Sequence, residues 1–339
     1  MIKVGIDGAG SQEAGELIRL LINHPDVLLV QVCQPEYAGR DVSDIHHGLI
    51  GERKLTFSKK IDFADLDLIF FTSSAEENSF DTASEFIAFN SEEEGSGFAI
   101  FVSSPDDLID AAAPFYLKCK EANEEIDEEE TVTINWQNSL VYGVPELNRK
   151  PLVRGARRVV VPTGLESAAI VALLPIYKEV EFASSMVFNV KGAPNIVKEY
   201  RDRSNAIARR LALTFSSLTG KRVDVALTFE EDANTERGII VSTDIKADST
   251  TLDHLRNLVD EAYDDHNLSH LSGKELNYHE VEGTDNCLIE INRIDSGKYR
   301  INVFADGRMR GAAGEAIHVM NLFAGLFEKT GLHLKASKF

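Results

Sequence analysis

The sequence predicts a two-domain α/β protein, and three observations carry that prediction. At 339 residues the chain exceeds the roughly 250 to 300 residues at which a single hydrophobic core stops growing. Short apolar runs alternate with helical patterns up to about residue 145, which is the rhythm of a parallel sheet covered on both faces. Beyond that point several strand patterns follow one another with no helix between them, as in a mixed or antiparallel sheet with helices on one side.

The apolar strand "KVGIDG" opens the chain. "EAGELIRLLINH" sets Ala14, Leu17, Ile18, Leu21 and Ile22 on one face at helical spacing, and "VLLVQVC" (27–33) follows as a second strand. Together they make one βαβ unit. "DLIFFTSS" (67–74) and "FAIFVSS" (98–104) continue the series, and "PDDLIDAAAPFYLKCKEANEE" supplies a helix with Pro105 and acids at its start, where the helix dipole favours them.

In the second half the strand patterns are "RRVVVP", "SMVFNV", "RVDVALTF", "GIIVSTDI", "CLIEINRI" and "YRINVFA", with helices near 166–178, 196–218 and 250–263. The last helix, "GEAIHVMNLFAGLFEKT", places Ala316, Val319, Met320, Phe323, Leu326 and Phe327 on one stripe.

Composition narrows the function classes. Hydrophobic residues make up 43% and charged residues 27%, ordinary for a folded globular chain. The formal net charge is -20, from 35 basic and 55 acidic residues, which disfavours nucleic acid and anionic membrane as partners. Part of the excess lies in "NSEEEGSG" (90–97) and "EANEEIDEEE" (121–130), expected as solvated loops or helix ends. No apolar run reaches the ~18 residues of a membrane span, and "MIKVGIDGAG" begins a strand instead of a signal peptide, so a cytoplasmic protein is expected. Cys33, Cys119 and Cys287 are too few and too widely spaced for a disulfide framework or a zinc site.

"GIDGAGSQEAGEL" follows a strand and opens a helix, the context of a Rossmann-type dinucleotide loop. Gly8, Ala9, Gly10 and Ser11 are the candidate cofactor-binding residues, because backbone amides there can approach a pyrophosphate. The third glycine of the fingerprint is replaced by Glu13, whose charge opposes that ligand; a glycine turn kept only for packing is the competing reading. At the tip of the second strand, "CQPEYAGRDV" offers Glu36 and Arg40. An arginine there favours a 2′-phosphate, so Arg40 points to NADP over NAD.

"VVVPTGLESAAIVALLP" (159–175) reads as a buried strand, a sharp turn and a helix, a good mount for a nucleophile. None stands there.

Several stretches resemble N-acetyl-gamma-glutamyl-phosphate reductase, of the semialdehyde dehydrogenase superfamily: "GELIRLLINHPDV", "AGRDVSDIHHGLIGERKLTF", "YGVPELNR", "RGI" (237–239) and "GAAGEAIHVMNLFAGLFEKTGLHLK" (311–335). The resemblance implies a Rossmann-type domain of residues 1–145 and 314–339. It also implies a semialdehyde-dehydrogenase-like α+β domain of 146–313 that carries the catalytic residues and the interface of a dimer or tetramer. The family reaction is NADPH-dependent reduction of an acyl phosphate in arginine biosynthesis, through a cysteine thioester and a histidine acid-base.

The resemblance also shows what this chain lacks. Where the family reads Asn-Pro-Gly-Cys, "GARRVVVPTGLESAA" aligns Val161, Pro162, Thr163 and Gly164, so Gly164 replaces the nucleophile. The His-x-His motif expected before Gly220 is missing from "YRDRSNAIARRLALTF", and "TVTINWQNSL" and "SAEENS" replace two further family stretches. No catalytic residue is therefore assigned. Thr163, Gly164 and Arg237 line the expected substrate-like cleft, with Arg237 as an anion binder or a structural ion pair, and Gly314 is a further cofactor-side candidate. Three functions stay open: a catalytically impaired homologue of the reductase, an NADP-dependent oxidoreductase of altered chemistry, and a regulatory protein binding a small molecule or cofactor.

Overall fold

Six parallel strands form the first sheet, in the order β2-β1-β3-β4-β6-β5. They are β1 (Ile2–Asp7), β2 (Val27–Cys33), β3 (Leu68–Phe71), β4 (Phe98–Phe101), β5 (Leu140–Tyr142) and β6 (Arg158–Val160). The computed structural model describes residues 1–75, 78–92, 97–112, 140–180 and 185–336. β3 is buried at all four positions, which is why these strands read as unbroken apolar runs. Order reverses between β1 and β3, and that crevice is where open α/β sheets bind ligands.

Helices α1 (Gln12–Leu21), α2 (Ser79–Glu92), α3 (Asp106–Ala112) and α4 (Pro145–Val153) accompany this sheet. α1 is capped by the Ser11 side chain and buries Ala14, Leu17, Ile18 and Leu21, four of the five expected positions. "VPELNR", which lies in a family-like stretch, is helical here and kinks at Asn148. The helix expected from residue 105 is described only as α3; the rest of that stretch, with Cys119 and the acidic run 121–130, lies outside the described residues.

The second sheet is mixed, in the order β10-β11-β12-β9-β7-β8. Its strands are β7 (Ser185–Gly192), β8 (Asp224–Glu231), β9 (Gly238–Lys246), β10 (Ser269–Leu271), β11 (Cys287–Asp295) and β12 (Lys298–Asp306). The central strands pair antiparallel, and the outer pairs β7–β8 and β10–β11 are parallel. α5 (Gly164–Leu173) is buried along its whole length and packs on β9, β11 and β12. α6 (Pro194–Asp202), α7 (Ser204–Thr219) and α8 (Leu252–Tyr263) complete this layer. The single helix expected over 196–218 is two, because the backbone breaks at Arg203.

α9 (Ala313–Phe323) packs against α1, α4 and β4. It ends before Leu326 and Phe327, since Gly325 takes a positive φ of 65° and Phe327 is 53% exposed. The expected stripe is therefore one turn shorter.

The chain divides into two compact units. One contains the described parts of Met1–Ala112 and Ile134–Pro162 with Ala312–His333; the other contains the described parts of Thr163–Gly311 and Leu334–Phe339. The division falls at 162/163 and not at the expected 145/146, because "RRVVVP" is not a strand of the second sheet: β6 inserts between β4 and β5 of the first.

Candidate functional site

The turn that would carry a nucleophile is built, but it is filled. Thr163 is extended (φ -70°, ψ 153°) and caps α5 through a capping box. Its hydroxyl accepts the Glu166 N–H at 3.3 Å and donates to Glu166 Oε2 at 2.7 Å, and that oxygen also accepts the Thr163 N–H at 3.1 Å. Arg210 of α7 closes on the same carboxylate with two donors, Nε to Oε1 at 2.5 Å and Nη2 to Oε2 at 3.1 Å. Arg210 is 1% and Glu166 0% exposed. The carboxylate is thus held by a two-point guanidinium contact.

Gly164 begins α5 with no room for a side chain. A Cβ there would lie 2.5 Å from the Arg310 carbonyl oxygen and 2.8 Å from the Tyr200 hydroxyl. Gly311, at φ +67°, lies with its backbone against Thr163 and Gly164, an approach only a glycine permits. Tyr200 is 3% exposed and its hydroxyl has no hydrogen-bond partner among the described residues. Burial, with Glu199 nearby, pushes its pKa up, so it is a neutral phenol and not a base. Ser167 Oγ accepts from Arg310 Nε at 2.8 Å. The two hydroxyls flanking the turn are thus engaged with a carboxylate and a guanidinium, and neither partner activates a nucleophile in the way an imidazole does.

Arg237 is an ion-pair partner. Its Nε donates to Asp306 Oδ2 at 2.8 Å, and the same carboxylate accepts the N–H groups of Gly283 at 2.6 Å and Arg308 at 2.8 Å. Burial raises the Asp306 pKa against the pull of Arg237.

In the first unit the glycine loop sits at the reversal point between β1 and β3. Gly8 has φ +80°, and Thr72 and Ala75 stand where its Cβ would be. Each amide of the loop has an internal acceptor: Gly8 uses Asp7 Oδ1 at 3.0 Å, Ala9 the Cys33 carbonyl at 2.8 Å, Gly10 the Gln34 Oε1 at 3.1 Å and Ser11 the Gly8 carbonyl at 3.2 Å. The space above Gly10 holds the Tyr37 ring, 2.8 Å from a built Cβ. Glu13, in the third glycine's place, is buried and accepts from Ser73 Oγ at 3.1 Å. A dinucleotide takes amides that are open over the second glycine; in this structure Gln34 holds the Gly10 amide and Tyr37 the space over it.

Arg40 is exposed and lies over the Tyr37 ring at 5.6 Å. Gly314 is the second residue of α9 and is buried. The structure thus gathers Gly8, Ala9, Gly10 and Ser11 into one loop, and Thr163 and Gly164 into one turn. Sequence reasoning missed Glu166, Tyr200, Arg210, Arg310 and Gln34. Only Glu166 had a visible signal, the Thr-x-x-Glu spacing of a capping box.

A parallel sheet with a glycine loop at its reversal point and a mixed sheet whose buried helix begins at a tight turn make up the fold of solved semialdehyde dehydrogenases. The family model for the semialdehyde dehydrogenase NAD-binding domain matches residues 3–154. Solved structures with the same fold include an aspartate semialdehyde dehydrogenase with NADP from Candida albicans (TM-score 0.64, 12% identity, 96% of this chain and 98% of that one). Another is aspartate semialdehyde dehydrogenase II from Vibrio cholerae, complexed with ASA (TM-score 0.62, 11% identity, 96% and 98%). The N-acetyl-gamma-glutamyl-phosphate reductases of Parabacteroides distasonis and Azobacteroides pseudotrichonymphae are each 30% identical to this chain, with both chains covered in full. The chain belongs to the N-acetyl-gamma-glutamyl-phosphate reductase family.

Proposed function

We propose that this chain is a non-catalytic member of its family, which keeps the reductase fold while the site of covalent chemistry has become packed interior. One observation supports this above the others: the position aligned with the nucleophile is a glycine whose Cβ would stand 2.5 Å from a backbone carbonyl. Acyl-phosphate reduction through a thioester requires a thiolate at that place. The neighbouring polar groups serve the fold, since Thr163, Glu166 and Arg210 satisfy one another inside it.

The described groups at the turn do not favour the altered-chemistry reading, because Glu166 is held by Arg210 and Tyr200 is a buried neutral phenol. The functional partner is then another protein chain, first of all a second copy, in a dimer or tetramer formed through the open face of the second sheet. Val187 and Ile294 line one cavity on that sheet and are 43% and 50% exposed. Purified protein assayed with NADPH and N-acetylglutamyl phosphate, and in reverse with the semialdehyde, NADP and phosphate, tests this: turnover is expected to stay at background.

A further inference from the structure

We propose that the segment from Gln34 to Tyr37 is an internal occupant of the glycine loop, holding it closed to a dinucleotide. This is independent of the loss of catalysis, because it is read by binding and not by turnover. Gln34 is 5% exposed, and its Oε1 takes the Gly10 N–H at 3.1 Å, the donor that a phosphate oxygen would otherwise use. Its Nε2 donates to Glu36 Oε2 at 2.5 Å, which fixes the amide's orientation and leaves the carbonyl oxygen facing the loop. The Tyr37 ring covers Gly10 and is itself held between Phe57, with centroids 5.6 Å apart, and the Arg40 guanidinium.

The backbone beneath these side chains is pinned. Gln34 N–H donates to the Ser58 carbonyl at 3.1 Å, Gly39 N–H to the Phe57 carbonyl at 2.9 Å and Phe57 N–H to the Arg40 carbonyl at 3.0 Å. Opening the loop is therefore a matter of swinging two side chains, Gln34 and Tyr37, and every dinucleotide that binds must first displace a formed hydrogen bond and a packed ring. Arg40, the residue suited to a 2′-phosphate, stays on the cover until the cover moves.

The test is calorimetric titration of NADP into the wild-type protein, the double variant Gln34→Ala/Tyr37→Ala and the single variant Glu13→Gln, each checked for native circular dichroism. The double variant should bind at least about tenfold more tightly than wild type, the worth of one charge-assisted hydrogen bond made available. Gln34→Ala alone, the milder change, should move in the same direction. Equal affinity of wild type and a folded double variant overturns the proposal, as does a folded double variant that binds nothing. A gain confined to Glu13→Gln overturns it too, by making the acid and not the segment the barrier.

Discussion

The backbone carbonyl of Arg310 stands 2.5 Å from the point where residue 164 would carry a Cβ. Carbon and carbonyl oxygen do not approach so closely, and a backbone atom cannot swing aside as a side-chain tip can. Gly164→Ala should therefore destabilise by about 1–3 kcal/mol, the usual cost of overpacking a filled interior. Chemical denaturation of the two proteins checks this. A variant as stable as wild type would mean that the turn has slack.

Glu166 and Arg210 are both buried and face each other through two hydrogen bonds. Glu166→Ala removes the two-point partner of a buried guanidinium and should cost about 3–5 kcal/mol, whereas replacing both partners by apolar residues of similar volume should recover most of that loss. Melting curves of the single and double variants separate the two effects.

His24 gives the first unit a pH dependence. Its Nδ1 accepts the Asp26 N–H at 3.2 Å, so Nε2 carries the proton donated to Asn321 Oδ1 at 3.1 Å; the ring is neutral. Burial holds its pKa below the ordinary 6.5. Between the lowered folded value and 6.5 the unfolded chain binds more protons, so stability rises with pH there and is lost as pH falls below 6.5. His24→Gln should flatten that part of the stability–pH curve. An unchanged slope would place the effect elsewhere.

If the open face of the second sheet joins copies, light scattering at micromolar concentration should report a particle of at least twice 37.5 kDa, and Val187→Glu should shift it toward the single chain. A single-chain mass for wild type would remove that interface.

The strands and helices were legible in the sequence wherever apolar periodicity was long: α1, β3, β9 and β12 all lie where the pattern sets them. The second sheet's mixed order was legible as a class, not as an order, because pairing depends on contacts distant in sequence. "RRVVVP" was read into the wrong sheet for the same reason. A three-residue strand does not announce its neighbours, and β6 finds them across the chain in β4 and β5. At the candidate site the resemblance singled out Gly164, but it gave no sign of what surrounds that residue. Tyr200, Arg210 and Arg310 reach the turn from three different elements, and no local pattern links them to residue 164. Gln34 shows the same limit, since a glutamine at a strand end gives no sign that it will cover Gly10.

The most direct measurement is the turnover of purified wild-type protein with NADPH and N-acetylglutamyl phosphate, beside a Gly164→Cys variant. Neither should exceed background. On the proposed reading Gly164 stands in the nucleophile's place, and the variant's thiol would be forced against the Arg310 carbonyl, only a few per cent thiolate at neutral pH if its pKa is about 8.5. NADPH-dependent reduction by the wild type that follows the protein through purification, and falls when Thr163 or Arg237 is replaced, would contradict the central claim and establish a working enzyme of altered chemistry.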